Sequence, residues 1–168
     1  MRARIVMAYG VVLYSMAGNP AAAQCGGGLL SLEYFIPDSS VTALFSGTVT
    51  DLRQSRFSGN VSDFGSDSFL VVTFEADRVW KGDLPKHLVV YRPAPRSIPG
   101  FGSSVTMHFE MRKRYVVVAH HLTATERAQV GTDSPDALMV EMCGGGSRPF
   151  ELAAPTLSDH LGTGWAPR

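Results

Sequence analysis

Five stretches of the chain carry the alternating or β-branched apolar pattern that is typical of half-buried strands. The strongest is Ser68–Trp80, where Phe69 and Val71 point to one face and Leu70 and Val72 to the other. In the first stretch, Ala43, Phe45 and Val49 fall on one face, and Gly47 marks a bulge or bend. The predicted strands are Val41–Leu52, Ser68–Trp80, His87–Arg92, Arg114–His120 and Leu138–Cys143, with a brief further pairing at Met107–Phe109.

Polar, glycine-rich or proline-rich segments separate these strands and predict surface connections. They are Arg53–Asp67, Pro93–Gly102 and Thr123–Pro135. After the last strand, Ser147–Leu161 has the leucine spacing of a modest helix, and residues 162–168 are expected to form a frayed, flexible tail. The pattern therefore predicts an all-β fold with one C-terminal helix, in which a five-stranded antiparallel sheet rolls into a small barrel.

The first 23 residues have the order of a secretory signal. Arg2 and Arg4 precede an apolar run from Ile5 to Ala17, and Ala21–Ala23 offers a small-residue cleavage site. The apolar run is short for a membrane span, so cleavage after Ala23 is preferred over an uncleaved anchor. A lipid-modified Cys25 is a further alternative, disfavoured by the bulky Gln24 before it. We expect a secreted, periplasmic or cell-surface protein whose domain occupies residues 24–161, with no membrane span after cleavage.

Composition fits one ordinary globular domain: of 168 residues, 45% are hydrophobic and 18% are charged. The formal net charge is +0, and removal of the signal takes away Arg2 and Arg4 but no acidic residue. A nucleic-acid binder needs clustered Lys and Arg to displace phosphate counterions. The mildly acidic mature chain therefore predicts no nucleic-acid partner.

The two cysteines, Cys25 and Cys143, both lie in the predicted mature chain. Export places them where thiols oxidise, and one intramolecular disulfide is the preferred pairing. Closing so long a loop is worth roughly 4 kcal/mol in the chain-entropy model. Free thiols or an intermolecular bridge are the alternatives. A metal site on these cysteines is not expected, because neither has a second Cys or a His at ligand spacing.

No residue pattern in the chain predicts catalysis, so we expect no enzymatic activity, no catalytic residue, no metal and no cofactor. His120 and His121 are adjacent on a predicted strand and point to opposite faces, which prevents them from sharing one metal ion. A Gly-x-Ser-x-Gly elbow, a HExxH motif and a phosphate loop are all absent from the sequence.

Two features could serve recognition. Trp80 ends the central strand, where it either covers the core or forms a binding surface, and the core role is preferred. The segment Pro93–Gly102, with Arg92, Arg96 and Phe101 in or beside it, is either a recognition loop or an ordinary solvated connection.

Taken together, the strand pattern and the cysteines resemble the bacterial relatives of the tissue inhibitors of metalloproteinases, which belong to the netrin-like group. The strand ending in Val-Trp-Lys-Gly, followed by the Arg-Tyr-Val-Val strand and a late cysteine, is the most specific part of the match. The matching residues, which span most of the mature chain, are Cys25, Ala43–Val49, Val72–Gly82, Arg112–Val118, Cys143 and Arg148-Pro149.

The resemblance implies an oligonucleotide/oligosaccharide-binding (OB) type barrel and a monomeric binding protein. In inhibitory family members, the amine and carbonyl of the N-terminal cysteine chelate the zinc of the protease, which assigns binding here to Cys25, Gly26 and Gly27. The chain differs from the family pattern in opening with Cys25-Gly26-Gly27 rather than Cys-x-Cys, and in lacking a cysteine before Tyr115. The alternative function is a structural or cell-envelope domain that binds a protein or glycan through its loops.

Overall fold

The structure is a computed structural model that describes residues 32–56, 68–93, 108–140, 147–153, 157 and 161–168. The predicted signal peptide, Cys25, Gly26, Gly27 and Cys143 lie outside these residues, as do the expected domain start and the predicted disulfide. The described strands are β1 (Ala43–Arg56), β2 (Ser68–Lys81), β3 (His87–Pro93), β4 (Arg114–His121), β5 (Leu138–Met139) and β6 (Arg148–Pro149).

These strands form one sheet in the order β1-β2-β3-β5-β4-β6. β4 also pairs with β1, from Ala43 opposite Ala119 to Thr48 opposite Arg114, so the first five strands close into a ring. β6 adds to β4 through Tyr115 opposite Pro149. The mainly β class predicted from the alternation is confirmed.

Strand direction differs from the prediction at one pairing. β3 and β5 run parallel, with Val90 opposite Leu138 and Tyr91 opposite Met139, whereas the other pairings are antiparallel. A parallel neighbour requires a long crossover, and here the chain passes through β4 before β5 joins β3. The prediction of a wholly antiparallel sheet was therefore wrong, because alternation within a strand carries no information about its neighbour's direction.

The ring encloses the main hydrophobic core. Ala43, Phe45 and Val49 all belong to it, as their shared face predicted. Aromatic rings stack edge to face through it: Phe45 on Phe74 at 5.6 Å, Phe74 on Phe109 at 5.4 Å, and Phe109 on Tyr115 at 5.0 Å between centroids. Each such contact is worth about 0.5–1.5 kcal/mol beyond area burial, so this aromatic column joins β1, β2 and β4.

Gly47 lies where β1 shifts register against β2, between Ser46 and Gly47, which confirms the predicted bulge. A Cβ at this position would lie 2.8 Å from the carbonyl oxygen of Glu75 and 3.1 Å from Cα of Ala76. Since those are backbone atoms of β2, only glycine allows the strands to come this close at the bend.

Two smaller clusters cover the outside of the ring. One lies on β1 and β4, where Leu44, Val116 and Val118 pack against Leu32 from the N-terminal side and Leu157 from the C-terminal side. The other lies on β2, β3 and β5 and contains Phe69, Val71, Tyr91, Leu122, Ala137 and Met139.

A helix, α1 (Ala124–Val130), occupies part of Thr123–Pro135, for which the polar composition predicts a surface connection. Its N-cap is Thr123, whose side chain accepts from the Glu126 backbone N–H while the Glu126 carboxylate accepts from the Thr123 N–H. Gly131, with φ of 70°, ends the helix. The Thr-x-x-Glu spacing was the available sequence signal for this capping box.

The C-terminal region also differs from its prediction. Ser147, the expected helix cap, is buried, and its hydroxyl accepts from the Val118 N–H at 2.8 Å. Among the described residues of this region, 150–153 and 157 have a helical conformation. Because β6 takes Arg148 and Pro149 into the sheet, the helical part begins later than predicted.

Residues 162–168 are held against β2 rather than frayed. Val79 and Trp165 exchange two backbone hydrogen bonds of 2.9 Å, and Arg168 pairs through its backbone with Leu84 and Lys86. The Arg168 guanidinium also lies 2.9 Å from the carboxylate of Asp136. This segment continues along β2 beyond the end of its pairing with β3.

Within the described part of the chain, no helix has both the length and the apolar character needed to cross a bilayer.

Candidate functional site

The nearest described residues to the predicted binding segment Cys25–Gly27 are those of a 3-10 helix at Leu32–Phe35. Leu32 is buried against the outer cluster on β1 and β4, and Phe35 packs on the same cluster. The 3-10 helix is therefore anchored on the outer surface of the ring.

Lys81, the last residue of β2, fixes this segment through three hydrogen bonds. Its ammonium donates to the backbone carbonyls of Phe35 at 3.2 Å, Ile36 at 2.8 Å and Asp38 at 2.6 Å. These carbonyls follow the 3-10 helix, where backbone acceptors have no helical partner. One cation thus satisfies three of them and ties the N-terminal segment to the central strand.

A side-chain turn at Asp38 then directs the chain into β1. The Asp38 carboxylate accepts from the Ser40 N–H at 2.9 Å and from its hydroxyl at 2.7 Å, and these hydrogen bonds from Ser40 lower the pKa of Asp38. The Asp38 carbonyl accepts from the Val41 N–H, and Thr42 N–H donates to Ala119 of β4 at 3.1 Å. This turn leads directly to the pairing that closes the ring.

A polar cluster on the outer face of the ring consists of Ser46, Asp77 and Arg114. Ser46 of β1 donates to the Asp77 carboxylate of β2, and Nε of Arg114 on β4 lies 2.6 Å from the other Asp77 oxygen. The Arg114 guanidinium also sits 3.4 Å from the ring centroid of Phe150. The cluster joins β1, β2 and β4 with matched charge, and it contains no histidine that could act as a base for Ser46.

An open groove of about 450 Å³ shares Asp77 with this cluster. It is lined by Thr48, Glu75, Ala76, Asp77, Lys86, Ala166 and Pro167. The Lys86 ammonium lies 2.9 Å from the Glu75 carboxylate and lowers the pKa of Glu75 by hydrogen bonding and by its charge. Both carboxylates of the groove are therefore paired with cations. An exposed, internally neutralised groove of this kind fits a contact surface better than an acid–base site.

The adjacent histidines have separate partners, as their position on a strand predicted. Nε2 of His120 lies 3.3 Å from a Glu126 oxygen, on the α1 side. Nδ1 of His121 lies 2.8 Å from the Thr42 hydroxyl, on the β1 side. Among the described residues, no group of three or more His, Cys, Asp or Glu side chains could hold a metal ion.

Trp80 packs at the edge of the outer cluster on β1 and β4 and is half-buried, in line with the preferred core role. Its indole N–H donates to the Gly162 carbonyl at 3.1 Å. Trp165 lies nearby on the same strand edge and is 48% exposed. The candidate recognition loop Pro93–Gly102 falls outside the described residues apart from Pro93, the last residue of β3.

Arg92 is the residue whose importance the sequence reasoning missed. The structure buries it to 1% exposure, on the inner side of the ring. Its place in the alternation was a usable signal, because Leu88 and Val90 precede it at spacing two and both belong to the core. A cation at the next inward position conflicts with the pattern, and such conflicts are typical of functional or strained positions.

No family model and no curated protein matches this chain.

Proposed function

We propose that the mature chain is an exported, non-enzymatic binding module of the netrin-like OB type, and that its N-terminal segment inhibits a zinc metalloendopeptidase. The observation that carries this proposal is the closed ring β1-β2-β3-β5-β4, with the N-terminal segment clamped to its outer face by Lys81. A small closed ring of five strands is the architecture of OB-type folds, which bind through their faces and connecting loops.

The hydrogen bonds from Lys81 to the N-terminal segment matter because a chelating segment binds a metal well only if it is held in one position. A bidentate contact with a metal loses affinity when the chain that presents it is free to move, since ordering that chain opposes binding. Leu32, Lys81 and the turn at Asp38 secure the segment that follows Cys25–Gly27. In the proposed complex, the neutral Cys25 amine and its carbonyl oxygen take the place of the zinc-bound water.

Chelation also requires that the mature chain begin at Cys25. Cleavage after Ala23 leaves Gln24 in front, where it blocks or displaces the amine. Intact-mass measurement of the exported protein therefore decides which form exists. A chain that begins at Cys25 supports the inhibitor proposal, whereas a chain that begins at Gln24 favours the domain that binds a protein or glycan through its loops.

The functional test is a titration of a zinc endopeptidase with two purified forms of the protein. One form begins at Cys25, and the matched control carries two additional residues before it. We expect stoichiometric loss of peptidase activity with the first form and none with the second. Full peptidase activity with both forms would overturn the inhibitor proposal and favour the second class derived from the sequence, a domain that binds a protein or glycan through its loops.

A further inference from the structure

The side chain of Arg92 points into the ring. It lies opposite Leu70 on β2, which packs against the inner core. Leu88 and Val90, on the same face of β3, are core residues. On the other side of β3, Val140 N–H donates to the Tyr91 carbonyl at 3.0 Å, so residues on both flanks enclose Arg92.

Among the residues that the structure describes, the guanidinium has no counter-charge. Its Nε and Nη2 atoms are buried without a hydrogen-bond partner. None of the ion pairs among the described residues includes Arg92; their nitrogen partners are Lys86, Arg114, His120 and Arg168. Arginine does not lose its proton in proteins, so burial leaves a full positive charge with unmet donors, which is unfavourable without a partner.

Arg92 lies near one end of the ring. Arg92 is the second-last residue of β3, and its cross-strand neighbours lie near the start of β2, with Ser68 opposite Arg56 at the distal end of β1. These strand ends together form one end of the ring. Leu70, Val90 and Val140 lie beside Arg92 at this end, so an anion held by the guanidinium would be in an apolar setting.

We propose that this end of the ring binds a carboxylate, with the Arg92 guanidinium as its anchor. The planar fork of N–H donors matches the two oxygens of a carboxylate in a bidentate pair. A carboxylate carries one negative charge, so its pair with the Arg92 guanidinium is neutral and suits an apolar surrounding. A phosphate would bring a second negative charge, which no described neighbour of Arg92 balances. This inference is independent of the proposed protease inhibition, which uses the other, N-terminal part of the chain.

Two sources of carboxylate are chemically equivalent at the guanidinium: a free small carboxylic acid and the carboxylate of a polypeptide partner.

The test measures the Nε–Hε resonance of Arg92 by ¹⁵N NMR, and the midpoint of thermal unfolding, in the full mature chain. Sodium acetate is titrated in at constant ionic strength set by chloride, with methyl acetate as the uncharged control. A short peptide with a free C-terminus, paired with its amidated form, tests the second source.

We expect the Arg92 Nε–Hε resonance to shift saturably with acetate or with the free-acid peptide, and not with methyl acetate or the amidated peptide. The unfolding constant should fall by the factor 1 + [L]/Kd, which is about 11-fold at ten times Kd. A response to acetate identifies small acids as sufficient, and a response to the peptide alone identifies a polypeptide carboxylate.

Substitutions separate binding from folding. Arg92→Met removes the buried charge, should leave the protein as stable or more stable, and should abolish the carboxylate response. Arg53→Met, at an exposed arginine of β1, is the matched control and should keep the response. If Arg92→Met fails to fold, the resonance titration of the wild-type protein still decides the question.

Two results would overturn the proposal. The first is an Arg92 resonance that responds to neither carboxylate source. The second is a shift of the Arg92 resonance when Glu141→Gln is compared with the wild-type protein in the absence of ligand. Such a shift would mean that Glu141, which follows Val140 in sequence, already supplies the counter-charge of Arg92.

Discussion

Replacing Gly47 with alanine tests the close approach of β1 and β2 at the bend of the ring. Gly47 pairs with Ala76 on β2 and with Tyr115 on β4, so it belongs to both ladders that hold β1. The new Cβ would meet the Glu75 carbonyl oxygen at 2.8 Å and Ala76 Cα at 3.1 Å. Neither atom can rotate away, so the strands must separate by a few tenths of an ångström.

The size of the effect follows from two opposing contributions. Overpacking of this kind costs about 1–3 kcal/mol. Loss of chain freedom in the unfolded state returns about 0.4–1 kcal/mol, since the Gly47 backbone does not have the left-handed conformation that would penalise alanine. We therefore expect a net loss of about 1–2 kcal/mol in the free energy of unfolding, or about 0.5–1 M in the urea midpoint for an m-value near 2 kcal/mol/M.

Gly131 provides the matched control for this prediction. It has a φ of 70° and open space around its Cβ position, so alanine there is strained by conformation alone. Asparagine tolerates the left-handed region and should be milder than alanine at Gly131. At Gly47, by contrast, asparagine should cost at least as much as alanine. An unchanged or higher urea midpoint for Gly47→Ala would refute the steric reasoning.

Three further substitutions test separate parts of the structure. Lys81→Met should lower the free energy of unfolding by about 1–2 kcal/mol. The lost hydrogen bonds to Phe35, Ile36 and Asp38 are charge-assisted, but water partly replaces them in the variant. Hydrogen exchange at residues 38–42 should become faster, and an unchanged exchange rate would contradict this role of Lys81. Tyr115→Phe removes the hydrogen bonds of the tyrosine hydroxyl with the Glu110 N–H at 3.0 Å and the His108 carbonyl at 3.1 Å. We expect it to lower the free energy of unfolding by about 1 kcal/mol, as measured by urea unfolding. An unchanged free energy would exclude a role of Tyr115 in holding the segment that contains His108 and Glu110. Burial alone would raise the pKa of Glu126, but hydrogen bonds from Thr123 and His120 outweigh it and lower that pKa. The carboxylate therefore stabilises the fold at and above pH 4.5, its ordinary value, and this stabilisation disappears as the pH falls through the lowered folded pKa. The stability difference between wild type and Glu126→Gln should thus be constant near neutral pH and shrink in acid, and a difference that grows in acid would show the opposite sign.

Strand positions could be predicted from the sequence because each depends on a local pattern. Ser68–Trp80 and His87–Arg92 were each predicted to within one residue of the observed strands. In β1 the prediction ended at Leu52, but pairing with β2 continues to Arg56. The polar, charged residues at the end of β1 gave no alternation, and cross-strand hydrogen bonding to Phe69 and Ser68 extends the strand instead.

The features that were missed depend on contacts between distant residues. The parallel β3–β5 pairing joins segments separated by β4 and α1, and the strand formed by Arg148 and Pro149 exists only because β4 offers an edge. The docking of residues 162–168 depends on the edge of β2 that β3 leaves open near Val79. In contrast, α1 was missed although its capping box and left-handed Gly131 were visible locally.

For the candidate site, the sequence predicted the N-terminal binding segment but not the contacts that attach the following residues to the sheet. Lys81 was noted only as part of the turn after Trp80, whereas its ammonium bonds to three carbonyls more than forty residues away in the chain. Arg92 was noted beside a loop, whereas the closed ring makes it an interior cation. Both roles come from closure of the sheet, which no local pattern specifies.

The fold, the attachment of the N-terminal segment by Lys81 and the burial of Arg92 all depend on closure of the ring. Backbone nuclear Overhauser contacts in the mature protein measure this closure directly. We predict contacts between β1 and β4 over the register from Ala43 with Ala119 to Thr48 with Arg114, together with parallel contacts of Val90 with Leu138. Contacts of β1 with β2 alone, with none to β4, would mean an open sheet and would contradict the account.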